Sequence, residues 1–167
     1  DSEIFELDIP ILGICYGHQL IAQSLDGVVV QNDVAEYGKT DLETTSGSLL
    51  FRDLPQRQAV WMSHRDAVAA PPPGFQVTAR TEDSPVAAME DLDRKMFGVQ
   101  FHPEVAHTPR GQEVLKRFLY EVCRARPSWT HAGIIEQAVK EVREKAGDAT
   151  VICGLSGGVD SSVAAAL

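Results

Sequence analysis

The stretch Ile9-Pro10-Ile11-Leu12-Gly13-Ile14-Cys15-Tyr16-Gly17-His18-Gln19-Leu20-Ile21-Ala22-Gln23-Ser24-Leu25-Asp26-Gly27 changes its hydrophobic period in the middle. Residues 9–14 are short, uncharged and rich in isoleucine, which predicts a buried strand. From His18 to Leu25 the apolar residues Leu20, Ile21, Ala22 and Leu25 suit a helix, and Gly27 is placed to end it in the left-handed region. Strand, tight turn and helix in that order are the opening unit of an α/β protein. The turn itself, Gly13-Ile14-Cys15-Tyr16-Gly17, has the grammar of a nucleophile elbow. Its flanking glycines let the backbone bend sharply enough to push the Cys15 side chain out of the sheet. The N–H groups that open the following helix favour thiolate over thiol. Cys15 is thereby expected to be a primed nucleophile.

Outward from this unit, short strands are predicted at 28–31, 48–51, 59–62, 75–81, 86–90 and 96–101, with Pro71, Pro72, Pro73 and Gly74 forming a firm break. Helical period returns at 111–124, where Val114, Leu115, Phe118, Leu119 and Val122 share one face. Residues 124–131, with Pro127 and Ser128, read as a linker. The reading therefore divides the chain into 1–128 and 129–167. The second part contains a predicted helix at 132–146, a strand at 150–154, and a loop running into another helix near Ser161.

The 167 residues are 44% apolar and 23% charged, which excludes collagen, coiled coil and wholesale disorder. Lys plus Arg is 15 against 24 Asp plus Glu, so the net charge of −9 repels a phosphate backbone, and no nucleic acid partner is expected. Cys15, Cys123 and Cys153 form no C-x-x-C pair, so neither a disulfide framework nor a metal knuckle is indicated and a reducing, cytoplasmic setting is expected. No apolar run approaches the ~20 residues of a membrane span, and no signal-like leader opens the sequence. The start at Asp1 and the end at Leu167, inside a helix-like run, suggest a fragment.

A thiol nucleophile benefits from a base. His102 in Phe101-His102-Pro103-Glu104 is the one strand-end histidine with a carboxylate beside it. In extended chain, residues two apart face the same way, so Glu104 is placed to orient the imidazole. A cysteine alone after a strand is more commonly an inert buried hydrophobe. Here Gly13-x-Cys15-x-Gly17-His18-Gln19 is followed by Gly98-Val99-Gln100-Phe101-His102-Pro103-Glu104, and together they resemble the class I glutamine amidotransferases.

That resemblance implies a flavodoxin-like sheet-and-helix domain over 1–128 and hydrolysis of the glutamine side-chain amide by Cys15, His102 and Glu104. It also implies that Gln19 helps to hold the substrate glutamine; His64 and Asp66 are read either as shaping the glutamine pocket through backbone contacts or as simple turn formers. The Tyr16 backbone N–H would hold the oxyanion, along with a Gly-rich loop expected upstream of Asp1. His18 is read as structural, His107 and His131 as surface or cap residues, and Cys123 and Cys153 as inert core thiols.

Ser156-Gly157-Gly158-Val159-Asp160-Ser161-Ser162 lies between the predicted strand and helix of the second part. Its glycines, serines and helix N-terminus form a phosphate cradle, although without the lysine of a Walker A loop. S-G-G-x-D-S resembles the ATP pyrophosphatases. By that likeness these residues would embrace the pyrophosphate of ATP, with Mg²⁺ sharing the charge, at the start of an adenine nucleotide α-hydrolase-like domain.

The combination resembles the GMP synthases, as do the stretches at 36–38, 61–66, 105–111 and 129–130. Arg65 and Arg117 depart from that pattern, standing where Gly and Asn are frequent. The likeness implies glutamine, ATP and xanthosine 5′-monophosphate (XMP) as substrates. It further implies a homodimer formed through a C-terminal domain that lies beyond this sequence. Two alternatives stay open: another class I amidotransferase subunit, such as that of carbamoyl-phosphate or anthranilate synthase, and an inactive binding module.

Overall fold

In a computed structural model, which describes residues 2–127 and 131–166, the chain divides into two units, Asp1–Ala125 and Arg126–Leu167. The boundary expected at 128/129, the 129–130 stretch and the His131 side chain lie outside what is described. No helix among the described residues is long and apolar enough to cross a membrane.

In the first unit β1 (Ile11–Ile14) leads into α1 (Tyr16–Ser24). There follow β2 (Val28–Thr44), β3 (Arg57–Ala70), β4 (Gln76–Arg80), β5 (Ala88–Asp91) and β6 (Met96–Val99), then α2 (Gly111–Arg117). The six strands form one sheet in the order β1-β6-β5-β4-β2-β3. Among the described strands only β1 and β6 pair in parallel, with Gly13 opposite Gly98 and Ile14 opposite Val99. The other pairings are antiparallel.

Strand alternation sorts the core onto two faces. Leu12, Ile14, Phe97 and Val99 pack with Val60, Met62, Phe101 and Val114, which is the α2 side. Ile11 and Met96 pack with Ile21, Ala22, Val68 and Met89, which is the α1 side. Gly13 and Gly98 face α1 next to each other. A Cβ on Gly13 would lie 2.5 Å from Gly17 backbone atoms, and one on Gly98 would lie 2.3 Å from His18 Nδ1. This pair of glycines is the groove in which α1 beds.

The structure departs from the expected elements in four places. Residues 48–51 form a turn rather than a strand, because Ser48 Oγ and Leu49 N donate to the buried Glu90 carboxylate instead of to a neighbouring strand. β2 and β3 run far beyond 28–31 and 59–62 as a long antiparallel ribbon. Their polar residues hid this continuity, since several of them, such as Glu36 and His64, point inward and are buried.

The helix at 111–124 widens into a π turn over Phe118–Val122, where Cys123 N bonds to Phe118 O at 2.9 Å. The extra residue per turn rotates the apolar stripe and leaves Leu119 46% exposed. In the second unit, α3 (His131–Ala146) and α4 (Val159–Ala166) form, but 150–154 is not a strand. A strand exists only in a ladder, and no other strand lies in this unit among the described residues. Cys153, expected in a core, is accordingly exposed.

Candidate active site

Cys15 ends the β1–β6 ladder, its N–H bonded to Val99 O at 2.9 Å, and its own carbonyl accepts from Gln19 N at 3.2 Å to begin α1. Serving both elements at once forces φ 51° and ψ −105°, a conformation that costs a non-glycine residue about 1–3 kcal/mol. The strain therefore sits on Cys15 itself, while the flanking glycines act differently from the expectation. Gly13 permits the close approach of α1, and Gly17 has open space where a Cβ would stand.

The thiol is partly buried, its Sγ 3.7 Å from Ser63 O and 3.8 Å from Gln100 Nε2. Burial pushes the thiol above its ordinary range, and the Glu104 charge adds to that. The Tyr16 N–H and the Gln100 amide pull the other way and lose. The expected preference for thiolate is thus reversed in the resting site, because desolvation outweighs the helix N-terminus.

His102 and Glu104 stand just past β6, with Nδ1 2.7 Å from Glu104 Oε1. Parallel pairing brings the carboxyl ends of β1 and β6 to one edge of the sheet, so Cys15 and this pair leave the same edge. The loop is clamped. His102 N donates to Trp61 O at 3.0 Å, and Thr108 Oγ1 donates to His102 O at 2.6 Å while accepting from Trp61 N at 3.0 Å. Gly111 lies so close to Pro103 that a Cβ there would fall 1.9 Å from the Pro103 carbonyl oxygen. His107 is exposed, as expected, and stacks on Trp61 with ring centroids 4.5 Å apart.

Behind the thiol lies a buried polar chain. Gln19 Nε2 donates to Asp66 O at 2.5 Å and to Gln100 Oε1 at 3.1 Å. His64 Nδ1 donates to the same Asp66 carbonyl at 3.0 Å. His64 Nε2 lies 3.1 Å from Glu36 Oε2, close enough for charge pairing though off the ideal hydrogen-bond direction. Burial alone would raise the Glu36 carboxyl. Contacts from His64, Ser84 and Thr81 outweigh it and hold the group below its usual range.

His64 and Asp66 thus brace the wall behind the nucleophile, and both N–H groups of Gln19 are already engaged. His18 is fully buried, bonds Val86 O through Nε2 at 2.9 Å, and has its pKa pushed down to about 4 by burial. It is a neutral packing residue, as read from the sequence. Glu36, Gln100 and Thr108 were not singled out beforehand as site residues. Gln100 lies inside the 98–104 motif, and Glu36 and Thr108 lie inside the 36–38 and 105–111 stretches, but the roles of all three come from tertiary contacts.

In the second unit Gly157 takes φ +83°, a conformation that favours glycine. Ser161 and Ser162 bond the Gly158 carbonyl at 3.1 and 2.9 Å, and Ser156 Oγ lies 3.0 Å from Ser161 Oγ. The loop is exposed, with Val159 opening α4 and the Asp160 carboxylate in its first turn. Mg²⁺ takes oxygen ligands, and these carboxylate and hydroxyl groups fit that class. Among the described residues no three His, Cys, Asp or Glu side chains converge as a metal cage.

Residues 1–122 match the family described as glutamine amidotransferase class-I, and residues 132–167 match the one described as NAD synthase. Curated proteins called "GMP synthase [glutamine-hydrolyzing]" are similar throughout. The one from Parafrankia sp. is 56% identical over the whole chain, and that from Thermobifida fusca is 56% identical over 98% of it. The chain spans 31% of the length of each.

Among solved structures, a proposed GMP synthase component from Thermoplasma acidophilum aligns with TM-score 0.68 and 29% identity. That alignment covers 83% of this chain and 64% of the other. A glutamine amidotransferase from Thermotoga maritima aligns with TM-score 0.58 and 27% identity, covering 86% and 53%. With the family matched across most of the sequence and the strained cysteine at the head of its sheet, the chain belongs to the class I glutamine amidotransferases.

Proposed function

We propose that the first unit hydrolyses the side-chain amide of glutamine through Cys15, His102 and Glu104. Cys15 Sγ bonds to the amide carbon as His102 removes its proton. The same proton then leaves with ammonia as the C–N bond breaks, giving a thioester. Water, deprotonated by His102, attacks that thioester, releasing glutamate and returning the thiol. Glu104 orients the imidazole and stabilises its charged form. The Tyr16 N–H donates to the oxyanion, and Gln19, with both N–H groups engaged, turns its side-chain carbonyl oxygen to the glutamine as an acceptor.

The observation that carries this reading is the hydrogen-bonded His102–Glu104 pair leaving the same sheet edge as the strained Cys15. A resting thiol held above its ordinary range needs a base at the moment of attack, which gives His102 a task rather than a bystander's place.

The loop from Ser156 to Ser162 is read as the pyrophosphate cradle of an ATP site. Mg²⁺ bound with the nucleotide would neutralise charge on its phosphates. The protein to which this chain corresponds then makes GMP from XMP, ATP, glutamine and water, with AMP, pyrophosphate and glutamate as co-products. The similarity to GMP synthases along the whole sequence supports this. The loop itself favours it over other amidotransferases.

A glutamine-mimicking electrophile should label Cys15 and spare Cys123 and Cys153, and excess glutamine should protect it. In the whole protein Cys15→Ala should abolish synthesis from glutamine while synthesis from free ammonia continues. Equal labelling of all three thiols, or loss of both activities, would overturn the assignment.

A further inference from the structure

Gln100 follows β6, with its N–H bonded to Ala87 O at 2.8 Å and its side chain wholly enclosed. The polarity of its amide is dictated by its surroundings. The Asp66 carbonyl can only accept, so the Gln19 atom 2.5 Å from it is the nitrogen. That nitrogen is also 3.1 Å from the Gln100 amide, so the facing Gln100 atom is the oxygen. The remaining atom, Gln100 Nε2, then aims its N–H at Cys15 Sγ, 3.8 Å away.

We propose that Gln100 is a positioning residue for the Cys15 nucleophile. The Asp66 carbonyl and Gln19 lock its amide so that a donor faces the sulfur and favours the thiolate as the proton leaves. A neutral amide suits this place. A cation would be costly to enclose there and would compete with His102, whereas an N–H dipole offsets the Glu104 charge without adding another. His64 supports the arrangement from the far side of the Asp66 carbonyl. The catalytic meaning of this inference rests on the amidotransferase reading, but its test follows the sulfur directly.

The test is the rate of Cys15 alkylation by iodoacetamide against pH, mapped by peptide mass in the whole protein. Gln100→Leu should move the midpoint up by about one unit, so labelling at pH 7 falls roughly tenfold. Gln100→Glu keeps the shape but turns an acceptor toward the sulfur, and should move the midpoint at least as far. Gln19→Leu frees the Gln100 amide to turn over and should give a smaller shift in the same direction. Should the leucine variant fail to fold, the isosteric glutamate variant decides. An unchanged midpoint in Gln100→Glu overturns the proposal. Shifts as described, together with glutamine hydrolysis that survives Cys15→Ala, would leave Gln100 setting the charge state of the sulfur but would remove Cys15 from the hydrolytic step and overturn the positioning role.

Discussion

Gly98 lacks a side chain because the His18 ring fills the space one would need, only 2.3 Å from the position of a Cβ. The ring cannot move aside, being enclosed and tied to Val86 O. Gly98→Ala should therefore cost about 1–3 kcal/mol by overpacking, read as a lower urea midpoint with an unchanged slope. His18 also sets a pH dependence. Its folded pKa of about 4 lies below the ordinary 6.5, so protonation favours the unfolded chain. The stability it permits is complete above pH 6.5 and is lost as pH falls toward 4, by about 3 kcal/mol. Urea titrations across that window should show this slope in the native protein and lose most of it in His18→Gln. That His18 is not the base was legible in the sequence, because a strand-to-helix turn sends neighbouring side chains different ways. The direction of the Cys15 shift was not. Local grammar shows the helix N-terminus, but the burial that overrides it arises from tertiary packing that a local reading does not see.

At the scale of elements, the loop carrying His102 depends on one hydroxyl. Thr108 Oγ1 joins the His102 carbonyl to the Trp61 N–H, and it is buried. Thr108→Val keeps the shape and orphans both backbone groups, which should cost about 1–3 kcal/mol. Glutamine turnover should fall with it, while the same variant supplied with ammonia should keep its synthetic rate; equal loss of both would point to global damage. The strand–turn–helix of β1 and α1 was legible because hydrophobic period and glycine placement agree there. The β2–β3 ribbon was not, since an inward polar chain through Glu36 and His64 broke the alternation that marks a strand. The π turn at Phe118–Val122 escaped for a related reason: a periodic stripe does not reveal one extra residue per turn.

Across the whole molecule the two units differ in how much they bury. The first encloses both core clusters, whereas no described residue from 133 to 166 is buried, and Ile152 is 93% exposed. Amides of α3 and α4 in this chain should accordingly exchange with solvent faster than those of β1 and β6, measurable by hydrogen–deuterium mass spectrometry. Two units were foreseeable from two motifs separated by a proline-bearing link. The missing strand at 150–154 was not, since pairing depends on partners that a local reading cannot count. The lone parallel pairing has a wider bearing. β1 and β6 are distant in sequence, and the other described strands are made between them. On the proposed chemistry, a nascent chain that has emitted only its cysteine lacks the base that would serve it. In the proposed chemistry the thiol and imidazole act together only after β6 has paired with β1, so that pairing serves as the arming step.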